Sequence, residues 1–179
     1  MSMATFAKTL QFAEDGGHYI CLGGGEPTTH PQFYEILARA MAASDDCWRL
    51  YIITNGKLKK KALLLAKLDR VGMIHAELSR DEFHEGIDPE VVEAFGTYRD
   101  TSHNVIAVGR AENWGWSDAC ICDDLFVDPA GRIWACGCQK EQFGTVDNPQ
   151  IPDDYYGRSD QCSTKHAEEL ETTEERAEA

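Results

Sequence analysis

Two stretches of the chain carry residue types that do chemistry. Five of the seven cysteines crowd the last third, at Cys120, Cys122, Cys136, Cys138 and Cys162, while Cys21 and Cys47 stand apart. Near the other end, His18-Tyr19-Ile20-Cys21-Leu22 runs into Gly23-Gly24-Gly25-Glu26 and then Pro27-Thr28-Thr29-His30-Pro31. Clustered thiolates hold soft metals and iron–sulfur clusters. Glycines after a β-forming run let the backbone approach a ligand closely, because no Cβ intervenes.

The glycine stretch reads as strand, tight turn and helix, with the helix opening at Pro31, where a first turn tolerates proline. Open α/β sheets and α/β barrels build a binding edge in this way at their strand C-termini. The order is not that of a P-loop, and Glu26 to Thr28 occupy the later positions of a Gly-x-Gly-x-x-Gly fingerprint. On this pattern alone, a turn that binds nothing stays open beside a ligand site.

In the cysteine-rich stretch, Cys120-Ile121-Cys122 and Cys136-Gly137-Cys138 flank Asp128-Pro129-Ala130-Gly131, a turn with proline second and glycine last. If two strands fold back about Pro129-Ala130, paired residue numbers sum to about 259. Cys122 then lies opposite Gly137 and Cys120 opposite Gln139, so both pairs reach one end of a hairpin. Four thiolates there suit one metal ion or cluster, with Cys162 as a further ligand. Cys-x-Cys is tighter than the usual knuckle spacing, so one residue of each pair is expected to ligate and the other to be spare.

The elements that must position these groups follow from hydrophobic periodicity. Residues 3 to 13 read as a helix, 18 to 22 as a strand, and Phe33, Ile36, Leu37, Ala40 and Met41 form a helical stripe. Arg49 to Thr54 reads as a buried strand closed by Asn55-Gly56, Leu58 to Leu68 as a basic amphipathic helix, and Met73 to Ser79 as a strand. Asp88-Pro89 opens a short helix, and Asn104 to Gly109 forms a fourth strand. This alternation predicts right-handed βαβ units and a parallel sheet. It stops near Asn113, giving domains 1–113, 114–165 and an acidic tail, 166–179, expected to be frayed or disordered.

The string Leu22-Gly23-Gly24-Gly25-Glu26-Pro27 resembles the Gly-Gly-Glu-Pro motif of radical S-adenosylmethionine (SAM) proteins. Thr54-Asn55-Gly56 resembles the close of that family's third strand, and Ser79-Arg80-Asp81 the Ser-x-Asp after its fourth, in family order over roughly residues 1 to 109. Leu125 to Cys136, with Phe143-Gly144-Thr145-Val146, looks like the family's auxiliary-cluster extension of the SPASM or twitch type. The fold that this implies is α/β, an incomplete (β/α) barrel of parallel strands followed by a small cysteine-rich β-hairpin module. Gly23, Gly24, Gly25 and Glu26 would contact the amino end of SAM, and Ser79 and Asp81 would lie toward its ribose and carboxylate. Cys120, Cys122, Cys136, Cys138 and Cys162 would be the ligand pool of an iron–sulfur cluster, with zinc as the rival metal. The implied activity is reductive cleavage of SAM and hydrogen abstraction from a small-molecule or peptide substrate, with an external electron donor. The family's Cys-x-x-x-Cys-x-x-Cys motif, which holds the radical-generating [4Fe–4S] cluster, does not occur in these 179 residues, so the chain as written is expected to be inactive alone.

Composition narrows the alternatives. A net charge of −14 argues against a nucleic-acid partner. No apolar run reaches the roughly 18 residues of a membrane span, and with no signal peptide ahead of Ala4 the expected location is cytoplasmic. An exposed strand edge, if a first strand is missing, predicts self-association. The rival from another class is a non-catalytic metal-binding scaffold or adaptor with a structural zinc site. A conventional SAM methyltransferase is disfavoured, since Thr54-Asn55 stands where its ribose-binding acid is expected.

Overall fold

The computed structural model describes residues 1–23, 25–44, 49–80, 86–96, 99–100, 125–137, 139, 141–153 and 155. The chain divides into two compact units, one of Phe6–Val105 and one of Met1–Thr5 with Ile106–Ala179.

The first unit is α/β. Its elements are α1 (Met3–Asp15) from Phe6 onward, β1 (Ile20–Leu22), a 3₁₀ turn (Pro27–Thr29), α2 (Phe33–Ala43), β2 (Leu50–Thr54), α3 (Lys59–Arg70), β3 (His75–Arg80), α4 (Pro89–Phe95) and β4 (Arg99–Asp100). The strands lie in the order β1-β2-β3-β4, and every pairing is parallel. Pro31 does not open a helix as expected. Pro27 instead starts the 3₁₀ turn, and α2 begins at Phe33. Asp88 does cap α4: its carboxylate accepts the Glu90 N–H at 3.0 Å, and Pro89 fills the first-turn position where no N–H is needed. The expected strand at 104–109 lies outside the described residues; among those described, the sheet's last strand is β4, Arg99–Asp100.

Burial alternates along β2 rather than running through it. Leu50, Ile52 and Thr54 are buried, whereas Tyr51 and Ile53 are half-exposed. The register carries the same alternation into β3, pairing Ile52 with Ala76 and Thr54 with Leu78 on the buried face, and Tyr51 with His75 and Ile53 with Glu77 on the other. The buried face is continuous with the helix stripes, where Leu78 joins Ala62 of α3 and Val91 of α4 in one apolar cluster. Parallel sheets are commonly covered on both faces. Here the second face carries Cys21, Tyr51, Ile53, His75, Glu77 and Ser79, none of them buried.

Gly56 shows what a glycine demanded by packing looks like. Its φ is +72°, and an added Cβ would stand 2.7 Å from Leu78 Cδ1 and 3.0 Å from Ile87 Cγ2. Only glycine serves both the turn and the closely packed core beneath it.

The second unit contains an antiparallel sheet of β5 (Phe126–Val127), β6 (Arg132–Trp134), β7 (Gln142–Thr145) and β8 (Asn148–Pro149) in sequential order. Phe126 pairs with Trp134 and Val127 with Ile133, one residue further on than the sequence register. The cause is the loop. The Gly131 N–H closes a turn on the Asp128 carbonyl at 2.9 Å, and Gly131 at φ +83° adds a bulge residue, so the hairpin loop has three residues rather than two. Ile133, Cys136, Phe143 and Tyr155 are the buried apolar residues of this sheet and its flanks, and the Tyr155 hydroxyl donates to the Ala135 carbonyl at 2.7 Å.

Candidate cofactor-binding site

The glycine turn lies at the C-terminal edge of the parallel sheet, and Glu26 braces it. The Glu26 carboxylate accepts four hydrogen bonds. Oε1 takes the Thr28 N–H at 3.0 Å, the Thr28 hydroxyl and the Thr54 hydroxyl at 2.9 Å; Oε2 takes the Asn55 N–H at 2.7 Å. Two of these donors belong to the end of β2, so the carboxylate ties the turn after β1 to the turn after β2. Thr28 and Thr54 are fully buried, which removes water as an alternative partner for their hydroxyls. The Thr54 hydroxyl also accepts the Gly56 N–H at 3.2 Å, and the Asn55 side chain accepts the Lys57 N–H at 3.0 Å. One acidic residue thus sets the geometry of both turns.

Lys61 completes the brace from α3. Its ammonium donates to the Thr28 carbonyl and sits 5.1 Å from the centroid of Phe33 and 5.6 Å from that of Tyr34. A cation over two rings, with a carbonyl at its tip, is held by both cation–π attraction and a charge-assisted hydrogen bond. The sequence reads Lys57 to Lys61 as a solvated helix start; residues 57 to 60 are exposed, and Lys61 is drawn against the turn instead. Thr28 and Thr54 are likewise absent from the sequence-derived site, and the signal that marks them is the acidic residue following the glycines, which needs donors once it is drawn inward.

The glycines beside this brace differ from Gly56. A Cβ added at Gly25 would meet nothing within 4 Å, and one at Gly23 only the Cys21 sulfur at 3.9 Å. Neither residue has a positive φ. Local packing and backbone conformation therefore do not account for glycine at these two positions. What its presence does is leave open space against the main chain at the edge of the sheet.

Ser79 is half-exposed, one residue beyond Leu78, which pairs with Thr54, so it stands at the same end of the sheet as the Asn55 turn. Gly24 and Asp81 lie outside the described residues, as do Cys120, Cys122, Cys138 and Cys162. Of the cysteine pool only Cys136 is described. It is 7% exposed, and its carbonyl accepts the Gln139 N–H at 3.1 Å, closing a tight turn in which Gln139 takes φ +56°. The structure thus gathers Gly23, Gly25, Glu26 and Ser79 at one edge of the parallel sheet and sets Cys136 at the end of β6.

Comparison of the chain with protein-family models, with curated proteins and with solved structures gave no match.

Proposed function

We propose that the α/β unit binds S-adenosylmethionine at the glycine turn, as the corresponding part of a radical-SAM-type protein, and that the cysteine-rich module holds an iron–sulfur cluster. The observation that carries the first reading is Gly25, a glycine without positive φ whose missing Cβ leaves open space, on a turn tied to the end of β2 by Glu26 and to α3 by Lys61. That cradle fits the polar amino end of SAM approaching main-chain atoms of Gly23 and Gly25. Glu26 then acts as a positioning residue: its carboxylate is committed to Thr28, Thr54 and Asn55, so the ligand meets the backbone that the carboxylate holds in place. Ser79 stands at the same strand ends, on the side assigned to the ribose and carboxylate. When bound beside a reduced [4Fe–4S] cluster, SAM supplies a 5′-deoxyadenosyl radical able to abstract hydrogen; the residues described here bind and orient it.

Calorimetric titration of the full chain with SAM tests this reading. The wild type is expected to bind. Gly25→Val is expected to weaken binding at least about tenfold, or 1.4 kcal/mol, because the new side chain occupies the cradle. Its circular dichroism and melting should not change, since nothing lies within 4 Å of the new Cβ. Wild-type protein that does not bind SAM, or a valine variant that binds it equally well, overturns the assignment.

For the second unit, the thiolate set is chemically matched to a cluster, and Cys136 lies buried at the end of a short strand, as a ligand shielded from oxidation would. Protein prepared without oxygen is expected to contain iron together with acid-labile sulfide. Zinc without sulfide would assign the module to a structural role and favour the non-catalytic scaffold.

A further inference from the structure

The turn that closes β2 contains an Asn-Gly peptide, Asn55-Gly56, and this pair carries chemistry of its own. In such a pair the main-chain nitrogen of the glycine attacks the asparagine carboxamide carbon, and no side chain on the glycine hinders the approach. Attack expels ammonia and closes a succinimide ring. Water then opens the ring to aspartate or isoaspartate. Asn55 is half-exposed, so ammonia has a way out and water a way in. Glycine is not replaceable at position 56, where φ is +72° and Leu78, Ile87 and Val91 crowd the place of a Cβ. The fold therefore keeps a labile pair at the edge of the sheet.

Three hydrogen bonds tie that pair down. The Gly56 N–H must give up its proton to become the nucleophile; it donates to the Thr54 hydroxyl at 3.2 Å, and Gly56 is buried. The Asn55 carboxamide oxygen accepts the Lys57 N–H at 3.0 Å, and ring closure re-aims that oxygen. The Asn55 N–H donates to Glu26 Oε2 at 2.7 Å, while Oε1 of the same carboxylate takes the Thr54 hydroxyl at 2.9 Å. Glu26 thus holds Asn55 directly and Gly56 through Thr54. Reaction requires the turn to open locally, and such openings are rarer the more bonds hold the segment closed.

We propose that Asn55-Gly56 is a site of spontaneous deamidation held in check by the Glu26 brace, a one-way switch on the turns at this edge. The Gly56 nitrogen bonds the Asn55 carboxamide carbon, the carboxamide C–N bond breaks, and the proton from Gly56, relayed by water, leaves with the ammonia. One water then adds across a ring C–N bond, so the net exchange is water for ammonia, with no oxidant or reductant. Opening at the former main-chain carbonyl gives isoaspartate, which lengthens the main chain by one methylene and adds a negative charge. Gly56 then loses either its Thr54 bond or its place against Leu78, Ile87 and Val91. The new carboxylate also stands on the residue whose N–H bonds Glu26, and it repels that side chain. The inference rests on the geometry of the brace, so it stands whether or not SAM binds.

Peptide mapping by mass spectrometry of the full chain, aged in warm neutral buffer, tests it by following the loss of Asn55. Folded wild type is expected to lose Asn55 at least about tenfold more slowly than the same chain unfolded in urea. Glu26→Gln, still folded by circular dichroism, is expected to lose it about fivefold faster than folded wild type, the effect of one broken hydrogen bond, with isoaspartate as the main product. Leu10→Ala empties a buried position on α1 and loosens the same unit away from the turn. Compared at urea concentrations that equalise their stability, Leu10→Ala should lose Asn55 more slowly than Glu26→Gln. The proposal is overturned if folded wild type ages as fast as the chain in urea, or if Glu26→Gln ages no faster than wild type. It is overturned too if Leu10→Ala matches Glu26→Gln at equal stability, since global unfolding would then be the route.

Discussion

Replacing Glu26 with alanine is expected to destabilise the α/β unit by about 2–4 kcal/mol, well above the usual effect of a half-exposed side chain. The reason is what the carboxylate leaves behind. Its four donors are the Thr28 N–H and hydroxyl, the Thr54 hydroxyl and the Asn55 N–H. Both threonines are fully buried, so their hydroxyls lose an acceptor where water does not reach. A buried donor stranded in this way costs about 1–3 kcal/mol, more than the net gain of making the bond. Glu26→Gln should be milder. It keeps one oxygen for three of the donors and turns an amide N–H toward the Asn55 N–H, breaking one bond. Urea unfolding of both variants reads the ordering, with alanine worse than glutamine and both worse than wild type. Calorimetry should show SAM affinity falling in the same order, because a slack brace lets the glycine turn move. An alanine variant within 0.5 kcal/mol of wild type, roughly the spread of neutral surface changes, would mean that the brace is not a structural necessity.

This brace marks the limit of what was legible in the sequence. The alternation of strands and helices and the parallel sheet were readable, because each element carries its own period: Phe33, Leu37 and Ala40 bury one stripe of α2, and Ala62, Leu65 and Ala66 one stripe of α3. Whether β2 was buried on one face or two was not readable. Tyr51, Ile52 and Ile53 are all apolar or aromatic, and only the register against His75 and Glu77 shows that alternate residues face polar partners. The hairpin was legible in type from Asp128-Pro129-Ala130-Gly131, yet its register slipped by one, because the αL conformation of Gly131 adds a residue to the loop. His75 stands out by no sequence signal of its own, and the structure leaves it half-exposed. What the sequence withheld was that Asp69, six positions earlier and on a helix, arrives at the same ring. Contacts of that kind depend on where one element ends and the next begins, which no local pattern records.

Asp128 is expected to make the antiparallel sheet acid-sensitive, and Asp128→Asn to remove that sensitivity at a cost of about 2–3 kcal/mol near neutral pH. Burial, the largest influence on this carboxyl, pushes its pKa up. The Arg132 N–H, the Trp134 indole, the Arg132 guanidinium and the Ala130 N–H together outweigh burial and hold the pKa below the ordinary value of 3.8. The geometry supports that balance. Oδ1 accepts the Ala130 and Arg132 N–H groups at 2.9 and 3.1 Å, and Oδ2 accepts Arg132 Nε at 2.6 Å and Trp134 Nε1 at 3.2 Å, on a side chain only 3% exposed. A folded-state pKa lower than the unfolded one means that the unfolded chain binds the proton more tightly. The stabilisation is therefore present above the unfolded value and is lost as pH falls through the folded one. An asparagine keeps one oxygen for the two turn N–H groups but sets its own N–H groups against Arg132 and Trp134. Its neutral-pH penalty comes from those two stranded donors. The Trp134 indole N–H resonance, followed through urea unfolding at neutral pH and at about pH 3, reads both effects locally. Wild type should lose stability between the two conditions by more than the variant does. Equal losses would place the acid sensitivity of this sheet elsewhere than in the Asp128 turn.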